Sequence, residues 1–111
     1  MNTPAATAMR SSIAVPVDHP SFAGHFPKFP VLPGAVLLDE ILQIIERDRR
    51  IDLAQWQIAT AKFLNAVRPG DVLNLEHSAP NTGLIRFTVR ALDRTVASGS
   101  LARAARPGGA A

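Results

Sequence analysis

A segment dense in proline and glycine, GHFPKFPVLPG at residues 24–34, divides the chain and limits where regular structure can form. Proline fixes φ and lacks the backbone N–H, so neither a helix nor a central strand can run through prolines 20, 27, 30 and 33. Regular structure is therefore expected to begin again only at Gly34. Because such a loop has little conformational freedom to lose, any side chain that it presents is positioned before a ligand arrives.

The clearest helical pattern of the chain follows directly, from about Ala35 to Arg50. Six apolar residues recur there at steps of three and four, which is typical of a helix with a wide apolar face: Leu37, Leu38, Ile41, Leu42, Ile44 and Ile45. The width of that face predicts a deeply packed helix. A separate polar stripe consists of Asp39, Gln43, Glu46 and Arg50.

Beyond Asp52, apolar and polar residues alternate with the period of two that is typical of strands. Four strands are predicted, WQIATAKFLNAV, DVLNLEHSA, LIRFTVRAL and TVASGSLAR, with the turn sequences RPGD, PNTG and LDRT between them. The segment SIAVPV, residues 12–17, is predicted to be a short edge strand, where a proline is tolerated. One helix followed by an antiparallel meander predicts a sheet that curls around the helix.

The length of 111 residues fits one domain with a single core. We predict that this domain spans residues 12–104, between flexible tails at 1–11 and 105–111 in which small residues dominate. The absence of cysteine leaves no disulfide or thiolate zinc site and favours a reducing, cytoplasmic environment. The sequence shows neither a secretory signal nor an uninterrupted apolar span, so we expect a soluble protein without membrane contact.

The formal net charge is +3, and the arginines are spread along the chain rather than clustered. Such a distribution is typical of a solvated surface, with an acidic partner as the alternative. Nucleic-acid binding is not expected, because one tryptophan, no tyrosine and no binding motif accompany the charge. No metal site is predicted, since the histidine spacing does not converge, and His19 and His77 are interpreted as structural residues.

Three residues around the proline-rich segment are candidates for chemistry. The imidazole of His25 has a usual pKa of about 6.5, which suits proton abstraction near neutrality. Gly34 begins the predicted helix, where free N–H groups can stabilise an oxyanion and no side chain blocks a ligand. Asp39 follows just over one turn later, so base, oxyanion donor and carboxyl could share one pocket. On spacing alone, His25 also fits a structural loop histidine, and Asp39 fits a residue that faces water.

The stretch HPSFAGHFPKFPVLPGAVLLDEILQ, residues 19–43, closely resembles the active-site segment of the β-hydroxyacyl-acyl-carrier-protein dehydratases. In that family a GHFPxxPxxPG loop runs into the central helix, and an acidic residue and a glutamine follow on the helix. The stretch AKFLNAVRPGDVLNLEH, residues 61–77, resembles the second signature of the family, KFxxxVxPGDxLxLE. The resemblance covers roughly residues 12–104 and is strongest to the short stand-alone dehydratases of aryl-polyene or fatty-acid-like pathways.

This resemblance implies an α+β hot-dog fold, in which an antiparallel β-sheet wraps around a long central α-helix. It also implies a homodimer, or a higher oligomer built from it, with active sites at the subunit interface. The implied reaction is dehydration of 3-hydroxyacyl thioesters to trans-2-enoyl thioesters. The substrate would arrive on the phosphopantetheine arm of an acyl carrier protein, and no metal or organic cofactor would be required.

The resemblance also assigns roles to residues of this chain. His25 would remove the C2 proton, Asp39 of the partner subunit would protonate the leaving hydroxyl, and the Gly34 N–H would bind the thioester carbonyl. A carboxyl that donates a proton must be protonated at neutral pH, which requires apolar surroundings. The residues expected to line the substrate site are Phe26, Val31, Leu32, Val36 and Gln43.

Two other functions remain open from the sequence. A hot-dog thioesterase would use the carboxyl to activate water at the carbonyl and would release a free acid, since one fold hosts many reactions. A non-catalytic subunit that binds acyl carrier protein would be indicated by a decayed site, and Lys28 does stand where the family usually has glycine. The intact set of His25, Gly34 and Asp39 argues against decay.

Overall fold

The computed structural model of the chain describes residues 8–18 and 32–104. Within these ranges lie five strands and one long helix: β1 Ala8–Ala14, α1 Gly34–Arg49, β2 Trp56–Phe63, β3 Val72–Asn81, β4 Leu84–Ala91 and β5 Arg94–Arg103. The strands form one antiparallel sheet in the order β1-β3-β4-β5-β2. The predicted combination of one helix with an antiparallel sheet is confirmed.

The apolar side of α1 packs into a core with the inner face of the sheet. Leu37, Ile41 and Ile45 are fully buried on the helix. The sheet contributes side chains that alternate along β3, β4 and β5, namely Leu73, Leu75, Ile85, Phe87, Val89, Val96 and Leu101. Full burial of one such side chain contributes about 1.5–3 kcal/mol, so this layer holds the helix on the sheet.

The two sides of the helix differ as the sequence predicts. Asp39, Gln43 and Arg47 are exposed, whereas the apolar face is buried or, at Leu38, Leu42 and Ile44, partly buried against the core. The apolar face of the helix is therefore packed as expected. One sheet covers one side of a helix only, so the opposite side of α1, called here its open side, faces away from the core.

The order of the strands differs from the predicted meander. A meander is present for β3, β4 and β5, whereas β2 lies at the far edge and pairs with β5. Residues 64–71 carry the chain from β2 across the end of the sheet to β3, and Val67 is buried on the way. The backbone N–H of Leu32 donates to the carbonyl of Val67 at 2.8 Å and fixes this crossing. A connection of this length does not enforce a hairpin, so alternation alone could not reveal the order.

The first strand occupies the other edge of the sheet, as predicted. It pairs with β3 from Ala8 opposite Ser78 to Ala14 opposite Val72, so the sheet begins before the predicted boundary at Ser12. Residues 8–11 thus lie in a strand rather than in a tail, and the Ser11 hydroxyl donates to Asp48 Oδ2 at 3.0 Å. The remaining predicted tail residues, 1–7 and 105–111, lie outside the described residues.

The predicted turn sequences join the strands where expected. Gly70 in the RPGD turn has φ of 85°, and Leu92 between β4 and β5 has φ of 56°, both in the left-handed region. Asn81 Oδ1 accepts a hydrogen bond from the N–H of Gly83 at 2.9 Å in the PNTG turn. Across the described ranges no helix is long and apolar enough to span a membrane.

Candidate active site

The predicted site residues fall in two parts of the chain. His25, Phe26, Lys28 and Val31 lie outside the described residues. Gly34, Val36 and Asp39 lie in the first two turns of α1, Gln43 lies just past its middle, and Leu32 closely precedes the helix. Val36 packs against the core, so its side chain contributes to the fold. Among the described residues, no cluster of histidine, aspartate and glutamate could hold a metal ion.

Gly34 is the first residue of α1, as its place after Pro33 predicts. Pro33 has φ of −59° and ψ of 142°, outside the helical region, and no side chain caps the helix at this end. The carbonyl of Pro33 accepts hydrogen bonds from Val36 N at 3.0 Å and Leu37 N at 3.1 Å. The Gly34 N–H, by contrast, donates to no described residue. An uncapped helix start offers free donors and a partial positive charge, which together suit a developing oxyanion.

The side of Gly34 on which a side chain would stand is occupied by the ring of Phe63, at the end of β2. A Cβ on Gly34 would lie 3.3 Å from Cε1 and from Cζ of that ring. Glycine at this position therefore leaves room for the ring of Phe63 beside the start of the helix. The sequence analysis predicts no role for Phe63. Its place in the KFxxxV signature is the feature that marks it as a candidate.

Gly34 and Phe63 line one groove, called here the Gly34 groove, with a volume of about 270 Å³. Its lining consists of Leu32, Gly34, Leu37, Phe63, Leu64, Asn65, Ala66 and Val67. Phe63 and Leu64 are about half exposed, at 49% and 55%. The side-chain amide of Asn65 already donates to the carbonyl of Thr95 at 2.7 Å. The groove is thus lined mainly by apolar side chains and begins at the uncapped start of α1.

Asp39 and Gln43 are brought together on the open side of α1. Gln43 Nε2 donates to Asp39 Oδ2 at 2.7 Å, and both side chains are exposed. Gln43 lines a second groove, of about 370 Å³, between α1 and β1, whereas neither residue lines the Gly34 groove. The expectation that oxyanion donor and carboxyl share one pocket is therefore not met within the described part of a single chain.

The sequence profile of the ApeI-like family, described as ApeI dehydratase, matches residues 2–100. This match covers most of the chain, including both signatures, strands β1 to β4 and β5 as far as Ser100. The chain belongs to the ApeI-like dehydratase family. The resemblance to short hot-dog dehydratases that the two signatures indicate is thereby confirmed.

Individual relatives agree with this family. The 3-hydroxyacyl-[acyl-carrier-protein] dehydratase FabZ of Chlamydia caviae is 41% identical over 70 residues, which cover 55% of this chain and 46% of that protein. The ApeI-like chain thus spans about half the length of the curated relatives that it matches. The Chlamydia trachomatis FabZ, serovar D, is 38% identical over 85 residues, covering 68% of this chain and 54% of its own.

Solved structures show the same architecture. The dehydratase heterocomplex ApeI:P from Xenorhabdus doucetiae superposes with a TM-score of 0.70 at 25% identity, over 92% of this chain and 93% of that one. The dehydratase domain of PpsC from Mycobacterium tuberculosis reaches a TM-score of 0.75 at 20% identity, over 96% and 42% of the two chains. The predicted α+β hot-dog fold is confirmed.

A buried histidine lies at the other end of α1 in this member of the ApeI-like family. His77 is 1% exposed and accepts a hydrogen bond at Nδ1 from Arg49 Nε, at 2.8 Å. Arg49 Nη2 also donates to the His77 carbonyl at 3.0 Å, and His77 Nε2 lies 3.2 Å from Asp48 Oδ2. Because a guanidinium can only donate, Nδ1 is the acceptor and Nε2–H donates to Asp48. The interpretation of His77 as structural agrees with this geometry, but its partners were not foreseen.

The charges of this network follow from burial and hydrogen bonding. Burial lowers the pKa of His77 below its usual 6.5, and the charge of Arg49 acts in the same direction against the opposing effect of Asp48. Burial raises the pKa of Asp48, but hydrogen bonds from His77, Ser11 and Arg47 outweigh it and hold the pKa below 3.8. A neutral histidine and an ionised aspartate therefore tie the end of α1 to β1 and β3. Asp48 and Arg49 lie near the C-terminal end of α1, so the helix separates this network from Gly34 by about 22 Å.

Proposed function

We propose that this ApeI-like protein dehydrates 3-hydroxyacyl thioesters carried by an acyl carrier protein. The observation that supports this best is the uncapped start of α1 at Gly34, beside an apolar groove, in a chain of a dehydratase family. An oxyanion donor next to a hydrocarbon channel is the arrangement that an acyl thioester needs. The catalytic residues of the proposal are His25 as base and Asp39 of the partner subunit as acid.

The proposed reaction uses each group once. The Gly34 N–H donates to the thioester carbonyl oxygen and stabilises the negative charge that develops there as the C2–H bond breaks. Neutral His25 accepts the C2 proton, and a double bond forms between C2 and C3. The C3–O bond breaks with its electron pair on oxygen, and the leaving hydroxyl takes a proton from Asp39 of the partner subunit to depart as water. The product is a trans-2-enoyl thioester.

Asp39 is assigned to the neighbouring active site because of where it lies on its own helix. It is exposed on the open side of α1 and lines a different surface from the Gly34 groove. Gln43 Nε2 donates to one carboxyl oxygen at 2.7 Å, and the other oxygen accepts from no described residue and would face the substrate. In the proposal Gln43 is a positioning residue that orients the carboxyl toward the partner's groove.

The free edge of β2 is the proposed contact of a homodimer. Within the described ranges β2 pairs with β5 alone, and seven of its eight residues are exposed. Ile58 presents an apolar side chain that is 45% exposed. An open strand edge with apolar side chains favours pairing with another strand, and pairing with a copy of itself gives a two-fold dimer. The Xenorhabdus doucetiae relative is a heterocomplex, so native mass spectrometry should test whether a second copy occupies this edge.

The remaining parts of the proposal concern substrate delivery. An acyl carrier protein would present the thioester on its phosphopantetheine arm, and the step described above requires no metal or organic cofactor. The formal charge of +3 is complementary to an acidic carrier protein. We place the reaction in the cytoplasm, in a fatty-acid-like or aryl-polyene pathway that extends acyl chains.

The test is an analysis of products by mass. The purified protein is incubated with a 3-hydroxyacyl carrier protein, and the enoyl, free-acid and unreacted species are separated. We expect enoyl thioester from the wild type and none from His25→Ala. Leu92→Ala serves as the control and should also form enoyl thioester, because the Leu92 side chain is 89% exposed between β4 and β5. Release of free acid would indicate a thioesterase reaction instead. No reaction at any chain length would favour a non-catalytic subunit that binds acyl carrier protein.

A further inference from the structure

The ring of Phe63 forms a wall of the Gly34 groove that the proposed mechanism leaves without a role. We infer that Phe63 determines acyl specificity, because its ring limits how long a chain fits beside the Gly34 N–H. The inference rests on the proposed dehydratase function, since it concerns the substrate of that site.

The position of Phe63 is held from two directions. Its partner in the sheet register is Ala97, a buried residue of β5, so the Phe63 side chain lies on the inner face of the sheet. On the helix side, the ring lies beside Gly34, where an added Cβ would stand 3.3 Å from two ring carbons. Yet the ring is 49% exposed, which is unusual for a phenylalanine on the core face of a sheet. The exposed part of the ring faces the Gly34 groove.

The side chains that line the groove are mostly apolar and favour an apolar ligand. Leucine, valine, alanine and phenylalanine side chains dominate its lining, and the one polar side chain, Asn65, already donates to the Thr95 carbonyl. A pantetheine arm carries two amide groups, which lose free energy when they are buried without partners. A hydrocarbon chain has no such requirement. We therefore assign the groove to the acyl chain and not to the pantetheine.

The size of the groove limits the length of that chain. Its volume of about 270 Å³ lies just below the range of roughly 300–1,000 Å³ that is usual for small-molecule sites. The ring lies beside the start of α1, where a Cβ on Gly34 would stand 3.3 Å from it. Truncating the side chain would join the volume of the ring to the groove. The wild type should thus favour short 3-hydroxyacyl chains, and a smaller residue at position 63 should admit longer ones.

The experiment measures kcat/KM for a series of 3-hydroxyacyl thioesters of increasing chain length. In Phe63→Ala the ratio of kcat/KM for a long chain to kcat/KM for a short chain should rise about tenfold or more. A difference of one or two methylene groups in an apolar pocket typically changes kcat/KM by this amount. Phe63→Leu should lie between this variant and the wild type. Leu92→Ala removes an exposed apolar side chain outside the groove and should keep the wild-type ratio. Equal ratios in all four proteins would overturn the inference.

A binding measurement separates this inference from the proposed function. Saturated acyl-pantetheine thioesters cannot be dehydrated, so calorimetry with them reports the groove alone. If the wild type dehydrates no substrate, the proposed function fails, while a chain-length preference in binding that shifts in Phe63→Leu still supports the role of Phe63. Circular dichroism and native mass spectrometry verify that the Phe63→Leu protein is folded. If its chain-length preference in binding equals that of the wild type, the role of Phe63 is contradicted even where dehydration is observed.

Discussion

Gly34 and Phe63 lie side by side, with two ring carbons of Phe63 only 3.3 Å from the point where a Cβ on Gly34 would stand. This arrangement places the first residue of α1 beside the last residue of β2. Gly34 belongs to the proline-rich signature and Phe63 to the KFxxxV signature, so one residue of each signature lies at the same groove.

The proximity of Gly34 and Phe63 predicts that substitutions at these positions are not additive. In the wild type, Gly34→Ala should lower the free energy of unfolding by roughly 1 kcal/mol, because the new Cβ overpacks the ring. In a Phe63→Ala background the clash is absent, and the same substitution should be neutral or stabilising by about 0.5 kcal/mol through its helix propensity. Urea denaturation of the two single variants and the double variant measures the coupling. Identical effects of Gly34→Ala in both backgrounds would refute this proximity.

The pair of Asp39 and Gln43 should carry function rather than stability. We expect Asp39→Asn to reduce kcat by about 100-fold or more, as is typical of the loss of a general acid, and Gln43→Ala to reduce it less. Both side chains are exposed in the single chain, so each substitution should change the free energy of unfolding by less than about 0.5 kcal/mol per subunit. Steady-state kinetics and urea denaturation provide the two readouts.

A matched control for these variants is Arg50→Asn. Arg50 is exposed just after α1 and has φ of 54°, a conformation that asparagine tolerates well. Its substitution should leave kcat unchanged. Near-normal turnover in Asp39→Asn would instead return Asp39 to the interpretation in which it simply faces water.

The free edge of β2 predicts a substitution that separates the subunits. Ile58→Lys places a charge on an exposed apolar position of this edge, where pairing with a second strand would have to bury it. Sedimentation should show a shift from dimer to monomer, with the circular dichroism of the fold retained. Leu92→Lys makes the same change at a more exposed position between β4 and β5 and should remain dimeric. If Ile58→Lys also remains dimeric, another surface forms the interface.

The network around His77 predicts that acid destabilises the fold in two stages. The pKa of His77 in the folded state lies below 6.5, chiefly because of burial, so the unfolded chain binds more protons as the pH falls. The stabilisation is thus complete above pH 6.5 and is lost as the pH falls toward the folded pKa. The pKa of Asp48 lies below 3.8, so its contribution is lost in the same direction at lower pH. The slope due to His77 should reach at most about 1.4 kcal/mol per pH unit.

Urea denaturation across this pH range checks the prediction. His77→Gln keeps a group that can accept from Arg49 and donate to Asp48 but does not titrate. Relative to this variant, the wild type should lose stability more steeply below pH 6.5, whereas both should lose it below pH 3.8. Parallel curves would show that His77 does not couple folding to pH.

Much of the local structure could be predicted from the sequence. Periodicity located α1 to within one residue at each end, from Gly34 to Arg49, because Pro33 forces an extended backbone directly before the helix. The turn sequences separated the strands correctly. The signatures also indicated the family and the helix position of Gly34, since both depend on contiguous residues.

What the sequence could not reveal depends on contacts between distant elements. The place of β2 beside β5 is decided by the crossing of residues 64–71, which alternation does not encode. In the sequence, Phe63 is one more alternating residue of a strand. It lies beside Gly34 only because the chain places β2 at that edge of the sheet. His77 gains Asp48 and Arg49 as partners from the far end of α1, for the same reason.

The proposed dehydratase active site combines His25 of one subunit with Asp39 of the other. The most direct test co-expresses equal amounts of His25→Ala and Asp39→Asn chains with different affinity tags and measures enoyl thioester formation by the doubly purified hybrid. Each hybrid dimer would hold one site with both residues intact, so it should show about half of the wild-type rate, while each variant alone is inactive. A hybrid dimer that is assembled but as inactive as its parents would contradict the claim.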